Sequence, residues 1–216
     1  MYKLIVFDLD GTLADTLADL AASMNYALDR QGLPTYPVDA YRHFVGNGVD
    51  NLIRVAMADG YSPDGAAMVK RDFGEYYTGH CKDFTAAYDG MSELLDRLSE
   101  DGISTAVISN KPDRFVPGIL SELYPRHSFS FAWGQREGIA RKPDPQALGL
   151  LIGQSGLPKD EVIYVGDSNV DVVFAHNAGI KVIGVSWGFR GSAELRQAGA
   201  DFIADTAEEL YEIIRA

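Results

Sequence analysis

Two aspartates one residue apart, Asp8 and Asp10, follow the apolar run Leu4-Ile5-Val6-Phe7 and precede Gly11-Thr12. Such a run reads as a buried strand, and side chains alternate along a strand. Both carboxylates therefore project to the same side where the chain emerges. One can attack an electrophile while its neighbour moves a proton, a division of roles suited to metal-assisted phosphoryl transfer. Gly11 lets the backbone leave the strand tightly and offers an amide to an anion, and Thr12 is placed to hold Asp8 in one rotamer. Asp-x-Asp-Gly also occurs in turns and calcium loops, so its meaning depends on the rest of the chain.

Three further segments supply complementary groups. Ser109-Asn110-Lys111-Pro112, after an apolar run, presents a hydroxyl, an amide and loop N–H groups that can grip phosphate oxygens. Arg141-Lys142-Pro143-Asp144-Pro145 holds a cation in a loop stiffened by two prolines. Gly166-Asp167-Ser168-Asn169-Val170-Asp171 brings two more acids to the end of another apolar run. Four loops from separate strands would meet at one edge.

The elements that must position these groups are legible as alternation. From Gly90 onward, strands are predicted over 103–109, 129–133, 162–166, 181–185 and 201–204. Helices are predicted over 92–100, 113–123, 145–155, 170–178, 193–197 and 207–215, with Gly102, Gly156 and Gly179 punctuating their ends. Strand-length runs alternating with amphipathic segments predict a parallel sheet with covering helices. Before Gly90 the character changes, because 16–31, 49–58 and 63–79 read as helices with no strand between them. The expected fold class is α/β: a Rossmann-like, doubly wound core from residues 1–15 and 86–216, with an inserted helical cap domain over 16–85. Two linkers would let the cap hinge over the strand ends, where doubly wound sheets bind their ligands.

Bulk properties narrow the partners. With 216 residues and a formal balance of 19 basic against 31 acidic residues, the net charge of −12 opposes sequence-independent attraction to nucleic acid or anionic lipid. A small diffusible substrate is expected. An anionic one is not excluded, since a bound cation and a few positive groups can invert the field inside one cleft. Cys81 is the only cysteine, which rules out an intrachain disulfide and fits a reducing cytoplasm. Met1-Tyr2-Lys3 runs directly into a strand with no long apolar stretch, so neither a leader nor a membrane span is expected. Oligomeric state, monomer or homodimer, is left open.

The chain resembles haloacid dehalogenase-superfamily phosphohydrolases with a helical cap of the C1 type, and the resemblance spans essentially the whole sequence. Asp8-x-Asp10-Gly11-Thr12, Ser109, Lys142 and Gly166-Asp167-x-x-x-Asp171 match the four ordered motifs of that family. Val45-Gly46-Asn47-Gly48, Tyr88-Asp89-Gly90, Ser109-Asn110-Lys111-Pro112 and Lys142-Pro143-Asp144-Pro145 are most similar to its phosphoglycolate phosphatase-like branch.

The resemblance implies that Asp8 attacks phosphorus to form an aspartyl phosphate, while Asp10 protonates the leaving oxygen and later activates water. Mg²⁺ is the implied metal, with Asp8, the Asp10 carbonyl and Asp167 as ligands and Asp171 in a supporting or water-mediated place. Ser109 and Lys142 would contact the transferring phosphoryl group. An acid at position 10 sets the chain apart from the dehalogenases for which the family is named. Gly11, Thr12 and Asn110 are further candidate substrate contacts. So are Gly46, Asn47 and Gly48 on a cap loop, and Arg190, which would greet a substrate carboxylate or second phosphate.

Plainer readings exist for individual residues. Ser109 could cap a helix, Asp171 could favour a helix dipole, Gly46-Asn47-Gly48 could be only a turn, and Arg190 a surface contact. His43, His80, His127 and His176 lack metal-ligand spacing. The leading expectation is a phosphomonoester hydrolase acting on a small phosphorylated metabolite, 2-phosphoglycolate first. The rivals are a pyrophosphatase, a nucleotide or sugar-phosphate phosphatase, a β-phosphoglucomutase-like mutase, and a catalytically silent phosphate-metabolite binder.

Overall fold

The computed structural model describes all 216 residues. In chain order the elements are β1 (Leu4–Phe7), β2 (Ala14–Asp15), α1 (Leu17–Arg30), α2 (Val49–Met57), α3 (Pro63–His80), β3 (Ala86–Ala87), α4 (Met91–Glu100) and β4 (Ser104–Pro112). They continue with α5 (Val116–Leu123), β5 (Phe131–Gln135), α6 (Gln146–Ser155), β6 (Val162–Gly166), α7 (Asn169–Ala178), β7 (Lys181–Val185), α8 (Gly191–Ala198), β8 (Phe202–Ala204) and α9 (Ala207–Arg215). The backbone forms two compact units, Met1–Ala14 with Ala87–Ala216, and Asp15–Ala86.

The first unit carries a six-stranded sheet in the order β5-β4-β1-β6-β7-β8, and its strand pairs are parallel. A central parallel strand is covered on both faces, which explains why all four residues of β1 are apolar and buried. Leu4, Val6, Tyr164, Leu148, Leu151, Phe174 and Val182 belong to one continuous core between sheet and helices. The chain moves outward from β1 to β4 and β5, then returns beside β1 to build β6, β7 and β8. This reversal leaves the crevice at the carboxyl end of β1, flanked by the ends of β4 and β6. Phe7 is level with Val107 on one side and Val165 on the other, so residues just beyond those positions emerge together.

The predicted α/β sheet is present, and 162–166, 181–185 and 207–215 have the expected limits. Other limits shift by a residue or two, with the strand expected over 129–133 found at Phe131–Gln135 and the helix expected over 193–197 at Gly191–Ala198, and three segments differ more. β4 runs through Ser109-Asn110-Lys111 to Pro112, where a loop was expected, with a register shift against β5 between Ile108 and Pro112. Beyond Val107 the strand β1 has ended, so Pro112 pairs on the β5 side only, where a missing N–H is tolerated. The segment Asp113–Phe115 is a 3₁₀ turn before α5, and a second one, Val38–His43, has no apolar period to announce it.

The second unit is helical. Ser62 caps α3 by accepting from Gly65 N–H, with Pro63 at the first helical position. Asp19 of α1 is buried, and its carboxylate accepts from the N–H groups of Phe84 and Thr85 and from the Thr85 hydroxyl. That ties the returning segment to the first helix. The crossing segments pair as the two-stranded sheet β2-β3. No helix is long and apolar enough to cross a membrane.

Tyr124, just past α5, donates from its buried hydroxyl to the Leu13 carbonyl at 2.6 Å, pinning the turn that follows Asp10. Tyr124→Phe is expected to lower stability by about 1 to 2 kcal/mol, measured by chemical denaturation. Unchanged stability would remove this bond from the list of what holds the turn.

Candidate active site

The Asp8 N–H donates to Val165 O at 2.9 Å, continuing the ladder one residue past β1 and delivering the Asp8 side chain to the crevice. The chain then folds so tightly that Leu9 O accepts from the N–H groups of Thr12, Leu13 and Ala14. Two expectations change as a result. The Gly11 N–H is engaged with Ala14 O at 2.9 Å rather than open to an anion, and the buried Thr12 hydroxyl has no hydrogen-bond partner, so it does not clamp Asp8.

Lys142 arrives from the loop before α6, and its ammonium has three neighbours for its three donors. Nζ lies 2.9 Å from Asp8 Oδ1 and donates to Asp171 Oδ1 at 2.7 Å and to the Tyr164 hydroxyl at 3.0 Å. Tyr164 in turn donates to Ile108 O at 2.9 Å, which links the cation to β4. The Asn110 side chain holds the Lys142 backbone from both ends, accepting from its N–H at 2.9 Å and donating to its carbonyl at 3.2 Å. Asn110 was expected to grip substrate. Its amide is instead the clasp that fixes where Lys142 leaves the loop, and the Lys142–Pro143 peptide is cis.

Asp171 is fully buried and serves two neighbours at once. Oδ1 takes the Lys142 bond, while Oδ2 accepts from Ser168 N–H at 3.1 Å and the Ser168 hydroxyl at 2.6 Å, closing a capping box at the start of α7. Asp167, also buried, accepts from Phe189 N–H at 2.7 Å through Oδ2. The carboxylate is wedged between two glycines: a Cβ on Gly11 would stand 2.3 Å from Asp167 Oδ2, and one on Gly188 would stand 2.3 Å from Asp167 Cβ. Neither position admits a side chain while Asp167 keeps this place.

Asp10 projects beside this group and is ion-paired with Lys111, whose Nζ is 2.8 Å from Asp10 Oδ1. Ser109 is buried at the end of β4, its hydroxyl accepting from Lys111 N–H at 3.3 Å. Asp8, Asp10, Ser109, Asn110, Lys142, Asp167 and Asp171 therefore gather at the ends of β1, β4 and β6. The sequence reading missed the parts played by Lys111, Tyr164 and the Phe189 N–H. Lys111 sat in a motif already singled out, whereas Tyr164 reads as one more core aromatic and a backbone N–H carries no sequence signal.

Gly46, Asn47 and Gly48 belong to the helical unit, where the two glycines have positive φ and Gly48 precedes α2. Arg190, at the start of α8, has its Nε 3.9 Å from Glu194 Oε1, one turn further on.

Residues 5–185 match the sequence profile described as haloacid dehalogenase-like hydrolase. The chain belongs to that hydrolase family. A phosphoglycolate phosphatase from Pasteurella multocida is 34% identical over 220 residues, covering 99% of this chain and 98% of that one. A crystal structure from Lactobacillus delbrueckii subsp. bulgaricus superposes with a TM-score of 0.94 at 34% identity, covering 99% and 98% of the two chains. That of a predicted phosphoglycolate phosphatase from Haemophilus somnus does so with 0.91 at 34% identity, covering 98% and 97%.

In this haloacid dehalogenase-like hydrolase, ligand oxygens of Asp8, Asp167 and Asp171 lie within 4.8 Å of one another, a set that could hold a metal ion. Its donors are all hard oxygens, as Mg²⁺ requires. Asp8 Oδ1 is buried without an aligned hydrogen bond despite its contact with Lys142. Burial pushes the Asp8 carboxyl up to about 6, with Lys142 opposing and Asp171 and Asp10 adding to the rise. Burial, then Asp171 and Asp8, raises Asp167 well above the usual carboxylate range. For Lys142 burial acts downward, but Asp171 and Asp8 outweigh it and the group stays charged. One lysine among three buried carboxylates leaves negative charge uncompensated, and a divalent cation is what this donor set fits.

The sign of the Asp8 shift sets a pH dependence. A carboxyl raised from 3.8 to about 6 binds more protons folded than unfolded between those values. Its contribution to metal-free stability therefore falls as pH rises from about 4 to about 6, by up to about 3 kcal/mol. Asp8→Asn is expected to flatten that decline and to leave the metal-free protein more stable than the unaltered one at pH 7 to 8. Parallel stability curves for the two proteins across pH 4 to 8 would contradict this.

Proposed function

We propose that the protein is a phosphomonoesterase that hydrolyses a small organic phosphate through an aspartyl phosphate, with 2-phosphoglycolate as the leading substrate. The observation that carries the reading is the placement of Asp8 beside Lys142, with the second acid, Asp10, two residues on. The names of the relatives support the choice of substrate.

An Asp8 oxygen attacks phosphorus in line with the ester bond, forming an O–P bond as the bond to the leaving oxygen breaks. Asp10 transfers a proton to that oxygen, then takes one from the water that cleaves the acyl phosphate. Lys142 offsets the negative charge shared by nucleophile and phosphoryl group, and it needs no reorientation because Asn110, Asp171 and Tyr164 already hold it. Ser109, whose oxygen accepts from Lys111 N–H, keeps its own proton for a phosphoryl oxygen. Asp8 and Asp167, with the Asp10 carbonyl, would hold Mg²⁺, which when bound neutralises charge on the phosphoryl oxygens. Asp171 acts on the metal side only indirectly, since both its oxygens are engaged by Lys142 and Ser168.

Phosphate release is to be measured with 2-phosphoglycolate, pyrophosphate, nucleotides and sugar phosphates, with Mg²⁺ or with EDTA. The expected result is metal-dependent turnover highest on 2-phosphoglycolate, reduced about 10³-fold or more by Asp8→Asn and about 10²-fold by Lys142→Met. A different preferred ester would keep the mechanism and overturn the substrate, whereas binding without turnover on every ester would overturn both.

Gly188→Ala tests the metal side separately. By displacing Asp167 it is expected to weaken Mg²⁺ binding about tenfold or more in titration calorimetry. Unchanged affinity would remove Asp167 from the ligand set.

A further inference from the structure

The crevice holds a second buried lysine that the proposed mechanism does not use. Lys111 is 4% exposed, yet it carries an ammonium 2.8 Å from Asp10 Oδ1. It stands two residues after Ser109 on β4, while the intervening Asn110 turns to Lys142. The two lysines are thus divided between the two reactive carboxylates. Lys142 contacts Asp8, on the side of the nucleophile and the transferring phosphoryl group. Lys111 contacts Asp10, the acid that the proposed mechanism assigns to the leaving oxygen.

We propose that Lys111 recognises an anionic leaving group: a carboxylate, or a second phosphate, carried within one or two carbons of the ester oxygen. This rests on the assignment of Asp10 to the leaving oxygen made above, and it explains how a site rich in carboxylates admits a substrate that is negative at both ends. When Asp10 is hydrogen-bonded to the ester oxygen, the Lys111 ammonium stands one hydrogen-bond length from that same carboxyl group. A carboxylate joined to the ester oxygen through a single methylene is short enough to stay near Asp10 and would pair with that ammonium, whereas a neutral hydroxymethyl group offers no charge to pair. The two substrates share the phosphoryl chemistry and differ only where Lys111 stands. Arg190, the earlier candidate for this task, has its guanidinium toward Glu194.

The test compares 2-phosphoglycolate with 2-hydroxyethyl phosphate, its neutral counterpart of equal length, in the Mg²⁺-loaded unaltered protein, Lys111→Met and Lys111→Arg. Loss of a charge-assisted contact is worth about tenfold or more. The ratio of kcat/KM for the anionic over the neutral ester is therefore expected to fall about tenfold or more in Lys111→Met, chiefly through KM for 2-phosphoglycolate. Lys111→Arg, which keeps a cation beside Asp10, is expected to retain part of the ratio and serves alone if the methionine variant does not fold. A ratio that stays constant while both rates drop would make Lys111 a positioning residue for Asp10 and overturn the proposal, as would a ratio that stays constant with no loss. If another anionic ester proves the better substrate, the same ratio measured against its neutral counterpart decides the role of Lys111 independently of the substrate assignment.

Discussion

Asp8, Asp167 and Asp171 crowd around one ammonium, Lys142, in a pocket from which solvent is almost excluded, and most of the surrounding structure answers that constraint. Charges taken out of water must find partners or give up their charge, and three acids cannot all be neutralised by one base. The neighbours divide the task. Ser168 and the start of α7 satisfy the far oxygen of Asp171, the Phe189 N–H takes one oxygen of Asp167, and Tyr164 relays the third donor of Lys142 into β4. What remains is a crowding of acidic groups at Asp8 and Asp167 that burial penalises and that a bound cation would relieve.

The constraint explains why the groups sit on strand ends rather than on free loops. The registers of β1 with β4 and β6 bring Ser109 and Asp167 out one residue beyond the level of Asp8, so rigid backbone hydrogen bonds fix separations that flexible loops would let drift. Lys142 is the exception, since it comes from a loop, and it is also the residue with the most elaborate anchoring. The Asn110 amide matches its backbone donor and acceptor, giving a loop residue the positional definition of a strand residue.

Much of this was legible in the residues. Fully covered parallel strands must be apolar throughout, so Leu4–Phe7 and Val162–Gly166 announced themselves, and the acids that follow them stood out against that background. The site was harder to read where one residue type serves two ends. Asn110 and Gly11 have groups suited to a phosphate, and only the fold reveals that Lys142 and Ala14 have claimed them. Lys111 was obscured because Ser-Asn-Lys-Pro resembles a loop, whereas a bulged strand continues through it and turns its ammonium to Asp10. Tyr164 carried no mark at all, because a hydroxyl on a core aromatic becomes informative only once its neighbours are known.

The capping box of α7 has one consequence beyond the helix it starts. Asp171 closes the first turn with one oxygen and restrains the Lys142 ammonium with the other, so winding of that turn and placement of the charge are a single event. A fluctuation that frays α7 at its beginning also takes from the Lys142 ammonium one of its three neighbours, leaving Asp8 and Tyr164 to hold it. The position of a buried charge is thereby coupled to the local opening of residues 168–171, so the persistence of one helical turn and that of one ion pair are not independent quantities.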